Sequence, residues 1–105
     1  MIKLNRRPLP EAAVNDPNSV EMLTVWIAEG ELHCSIKIGM YTSMGMNEVA
    51  AWGRILADTA RHIGNALEEK QGLDAREAVL RISRSFYDEL ALPTTSAQGK
   101  FIKKN

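Results

Sequence analysis

The sequence predicts an α+β domain in which an antiparallel β-hairpin is followed by two α-helices packed on one of its faces. Three observations carry this ββαα reading. Apolar and polar residues alternate from Glu21 to Met40, the period of half-buried strands. From Asn47 to Gln71, and again from Asp74 to Leu92, apolar residues recur every three or four positions, the period of amphipathic helices. Asn47 and Asp74 stand where helices are capped, and Gly72 and Pro93 stand where they stop.

Residues 1–20 read as an extended arm. Pro8, Pro10 and Pro17 each remove a backbone donor, and Asn15-Asp16-Pro17-Asn18-Ser19 is a turn cluster. Residues 21–92 form the single folded domain. Within it Glu29-Gly30 is a two-residue hairpin turn. This turn sets Ile27 opposite Leu32, Val25 opposite Cys34 and Leu23 opposite Ile36, so one face of the hairpin is apolar. The other face sets Trp26 opposite His33. Gly39 to Met46 reads as a loop carrying Met40, Met44 and Met46.

The first helix carries Val49, Trp52, Leu56, Ala60, Ile63 and Leu67 as one apolar stripe, flanked by the small residues Gly53, Ala57, Ala60 and Gly64. Glycine costs about 1 kcal/mol against alanine inside a helix, so two of them call for close packing. In the second helix Asp74 and Glu77 have capping-box spacing, and Ala75, Val79, Ile82, Phe86 and Leu90 form the apolar stripe. Leu80 and Tyr87 lie off that stripe, as a second contact surface. Glu77–Arg81 and Arg84–Asp88 are spaced as surface ion pairs. Residues 93–105 are a polar, basic tail whose one apolar point is Phe101-Ile102.

The chain has 105 residues, with Lys+Arg and Asp+Glu balanced at 13 each. Neutrality argues against a dedicated nucleic-acid binder, so nucleic acid is not an expected partner. The balance is uneven along the chain: residues 21–92 hold seven basic and eleven acidic groups, and the ends carry the basic excess. No apolar run approaches the ~18 residues of a membrane span, so no membrane contact is expected. The polar, proline-broken start does not read as a secretory signal. A single cysteine suits a reducing compartment, and a cytoplasmic location is the expectation.

Met22-Leu23-Thr24-Val25-Trp26-Ile27-Ala28, then Ala51-Trp52-Gly53, Leu56-Ala57-Asp58 and Ala60-Arg61-His62 together resemble a family of small bacterial proteins catalogued as a domain of unknown function. Its pattern is a hairpin ending in Val-Trp-x-Ala, then a helix with Ala-Trp-Gly and Asp-x-x-Arg-His. The resemblance implies no activity and no partner.

Two groups of side chains could carry chemistry. Asp58, Arg61 and His62 fall within one helical turn, and a carboxylate beside an imidazole can orient it and raise its pKa. The plainer reading is an ion-paired helix surface. Trp26 and His33 form a candidate stacking face, or else packing under another segment. Cys34 points into the predicted core as a small hydrophobe. No metal-ligand spacing, Gly-x-Gly-x-x-Gly or Walker loop appears, so neither a metal nor a cofactor is expected.

A lone two-stranded hairpin is marginal and has two open edges. Either the arm or tail adds a strand, or two subunits join. The favoured expectation is a homodimer, the commonest oligomer, working as a non-catalytic binding or interaction module whose first partner is its own copy, with another protein as a second candidate. The alternatives are a ligand-binding protein or enzyme using Asp58, Arg61 and His62, and a nucleic-acid-associated protein using Arg6, Arg7, Lys100, Lys103 and Lys104 with Trp26.

Overall fold

A computed structural model describes the backbone of residues 3–103 and the side chains of residues 3–99. Its central feature is the predicted hairpin. Strand β1 (Leu23–Ala28) pairs antiparallel with β2 (Glu31–Ile38), setting Leu23 against Ile36, Val25 against Cys34, Trp26 against His33 and Ile27 against Leu32. The turn is tight because Glu29 and Gly30 both adopt positive φ, 54° and 75°, as a two-residue primed turn requires.

After β2, Gly39 (φ 100°) turns the chain into a one-turn helix, α1 (Met40–Ser43). The segment read as a plain loop therefore contains a helical turn. The long helix α2 (Glu48–Gln71) follows, its N-terminus capped by Asn47, whose side chain accepts the Ala50 amide at 3.0 Å. Gly72, at φ 72°, closes it, donating its amide to the Glu68 carbonyl. Helix α3 (Ala75–Ala91) is capped by Asp74, which accepts the amides of Arg76 (2.8 Å) and Glu77 (3.4 Å).

The chain then returns to the sheet. Strand β3 (Ala97–Lys103) runs parallel to β2, giving the order β1-β2-β3. The basic tail thus adds a third strand, one of the two remedies for an exposed hairpin edge. The side chains of Lys100, Phe101, Ile102 and Lys103, and all of Lys104, lie outside the described residues. The arm holds one short helix, Glu11–Asn15, where the prolines around it suggested extended chain throughout. An Asx turn follows it, with Asp16 Oδ1 accepting the Asn18 amide at 2.8 Å.

The packing of the helices departs from the expected one. The two long helices pack chiefly on each other. Gly64 is the tight point: a Cβ there would lie 2.7 Å from Val79 Cγ2 and 3.0 Å from the Ala75 carbonyl oxygen. On the sheet, Ile82, Phe86 and Leu90 of α3 line a groove with Leu32. Val25 and Ile27, on the same apolar face, are 52% and 75% exposed. The helical hairpin therefore leaves much of the predicted core face uncovered. Among the described residues, Ala51 and Ala78 are the only buried hydrophobic residues, and no large side chain is fully enclosed. The radius of gyration is 15.8 Å, against about 13 Å for a compact chain of this length. No helix of the described residues is long and apolar enough to cross a membrane.

Candidate functional site

Asp58, Arg61 and His62 lie on α2, the predicted turn of helix. Arg61 donates from Nη2 to Asp58 Oδ1, and both side chains are exposed. This is the one ion pair among the described residues; Glu77–Arg81 and Arg84–Asp88 do not form. Exposed ends of long side chains stay hydrated, and the pairing gain there is too small to fix them. His62 is also exposed and has no hydrogen-bonded partner among the described residues. The structure therefore joins two members of the group and leaves the imidazole apart. Arg61, with Asn65, Arg76 and Leu80, edges an open groove between the helices; neither Asp58 nor His62 lines it.

Trp26 and His33 face each other across β1 and β2 as the register requires. Both are half-buried. His33 Nε2 is shielded from solvent without a hydrogen-bond partner among the described residues. Trp26 shares a shallow cavity with Arg6, Arg7, Pro8 and Leu9 of the arm, so the arm runs past this ring. Cys34 is half-buried and unpaired. Among the described residues no group of three or more His, Cys, Asp or Glu side chains could hold a metal ion.

The most connected polar side chain is one that the sequence marked only as a helix-start acid. Glu48 Oε2 accepts the Gly39 amide (3.1 Å) and the Trp52 indole N–H (3.0 Å); Oε1 accepts the Thr42 amide (2.9 Å) and hydroxyl (3.3 Å). Partial burial pushes the carboxyl pKa up. The hydrogen bonds from Thr42, Gly39 and Trp52 outweigh it and hold the pKa below the usual carboxylate value. Glu48 thus ties the end of β2, α1 and α2 together. The sequence signal was present in part: an acid near a helix start, four residues before a tryptophan.

The larger unclaimed feature is apolar. Val49, Leu56, Ile63, Leu80, Phe86, Tyr87 and Leu90 all stand exposed on the two long helices. Met44 and Met46 are exposed beside them in sequence, whereas Met40 is half-buried.

A family model described as a domain of unknown function, DUF5076, matches residues 6–94. No curated protein matches the chain. Among solved structures, the chain is similar to a protein from the photosynthetic bacterium Rhodopseudomonas palustrus CGA009, provisionally named a pyruvate dehydrogenase. The two are 25% identical with a TM-score of 0.69, over 95% of this chain and 97% of that one.

Proposed function

The chain belongs to the DUF5076 family of domains of unknown function, and from its own surfaces we propose that it is a non-catalytic interaction module that works as a homodimer. One observation carries this reading. The accessible surface is 9215 Å², whereas a compact monomer of 11.7 kDa exposes about 5,900 Å². The excess, roughly 3,300 Å², is well beyond the ~800 Å² per partner of a standard interface and suits an obligate one. Part of it is the exposed arm; on the folded domain it includes the apolar side chains of Val25 and Ile27 on the sheet and the seven residues named above on the helices. An exposed apolar surface of this extent marks an interaction site. With Ala51 and Ala78 the only buried hydrophobics among the described residues, the chain has little else to stabilise it.

Catalysis at Asp58, Arg61 and His62 has less support. The name of the Rhodopseudomonas neighbour would bring pyruvate, a small carboxylate, to this chain. In this cluster, however, Arg61 is already engaged by Asp58, and His62 has no group to orient it among the described residues. Binding of phosphate backbones through the exposed Arg6 and Arg7 predicts a steep loss with salt.

Light scattering on the purified chain tests the main reading. A folded species of twice the monomer mass at micromolar concentration supports it, and a folded monomer overturns it.

A further inference from the structure

We propose that the second copy docks along α2, the two helices running antiparallel about a twofold axis that passes beside Leu56. This inference rests on the dimeric reading above. Val49, Leu56 and Ile63 are 83%, 42% and 44% exposed. They are spaced by seven residues, nearly two helical turns, so they form an almost straight apolar line. The line is evenly spaced about Leu56. Reversed about that residue it matches itself, as an isologous contact demands. Leu56 then meets Leu56 of the partner subunit, and Val49 meets Ile63 of the partner subunit.

The flanks of the line agree with this placement. Gly64 is accounted for within the chain, because α3 presses on it. Gly53 is not: a Cβ there would meet nothing within 4 Å, yet glycine in a helix interior is costly. In the twofold arrangement Gly53 falls beside Ala60 of the partner subunit. Small residues face small residues there, and the helix backbones can close together. On the other flank Trp52 falls beside Thr59 of the partner subunit, bulk against a short side chain. The polar side of α2, with Arg54, Asp58 and Arg61, stays in water. The surface excess is large enough for a second copy to be the occupant.

Cysteine crosslinking tests the seam, in a chain whose own thiol is removed by Cys34→Ser. The mass of each variant is measured first, in reductant. Leu56→Cys is expected to crosslink to its own copy at least about a hundredfold faster than Arg54→Cys, because juxtaposition raises effective concentration from micromolar to millimolar. Val49→Cys and Ile63→Cys are expected to crosslink with each other when mixed and re-equilibrated, and neither with itself. This second pair reads the seam even where Leu56→Cys fails to fold. Dimers in which Leu56→Cys reacts no faster than Arg54→Cys, or in which the mixed pair gives no crosslink, overturn the seam and leave the dimeric reading standing. A folded monomer overturns both.

Discussion

Glu48 accepts the indole N–H of Trp52, one helical turn later, at 3.0 Å, while the same carboxylate holds the amides of Gly39 and Thr42. A single acid therefore ties the start of α2, which Asn47 caps, to the end of β2. Glu48→Gln retains one acceptor oxygen and loses the charge that strengthens these bonds. The variant is expected to melt several degrees lower, with the Trp52 emission shifted to the red. A thermal melt followed by fluorescence checks both.

The same contacts set a pH dependence. The folded-state pKa of Glu48 lies below its ordinary value of 4.5. Folding is therefore favoured by this group fully above that value, and the contribution is lost as pH falls through the lowered folded pKa. Glu89 adds in the same sense, its pKa lowered by the hydroxyl and amide of Thr94. Acid melts of wild type and Glu48→Gln should converge as the pH falls through the lowered folded pKa of Glu48. A difference that persists undiminished to low pH would sink this account.

Gly64 is predicted to be the least replaceable residue of α2. Alanine there gains about 1 kcal/mol of helix propensity but drives its Cβ into Val79 and the Ala75 carbonyl. Overpacking of a rigid contact costs about 1–3 kcal/mol, so Gly64→Ala should be a net loss in denaturant titration. An increase in stability would show that the two helices are free to move apart.

Glu29 sits at φ 54°, a region that favours asparagine or glycine. Glu29→Asn keeps the turn and should stabilise the hairpin by about 0.5–1 kcal/mol. The midpoint of a urea melt reads this change.

Gly99 joins β3 to β2 at φ 129°, and a Cβ on it would lie against the Cys34 backbone, 2.9 Å from its nitrogen. Gly99→Ala should therefore release β3. Hydrogen exchange at the amides of β2 would then accelerate, and β1 would be little affected.

The hairpin was legible in the sequence down to its register, because Glu29-Gly30 and the alternation of Val25, Ile27, Leu32 and Cys34 admit one pairing. The caps Asn47, Asp74 and Gly72 were legible for the same local reason. Strand β3 was legible only as one of two remedies for the open hairpin edge: residues 97–103 hold Gln98, Gly99 and lysines, and their pairing with β2 depends on a crossover through both helices. The Glu48 clamp was not legible, since its partners Gly39 and Thr42 come from the preceding turn. The helical stripes were read correctly as apolar, but a stripe does not say whether its cover is the same chain. Leu56 and Ile63 have the spacing of core residues and stand open. Of the polar cluster, the spacing found the Asp58–Arg61 pair and could not tell that His62 would stand apart.

Completion of the core by a second copy would make folding and association a single equilibrium. Sedimentation velocity across a dilution series measures it most directly. A species of twice 11.7 kDa that loses its fold as it dissociates is expected, so that stability rises with concentration. A folded species of 11.7 kDa, equally stable at every concentration, would contradict this.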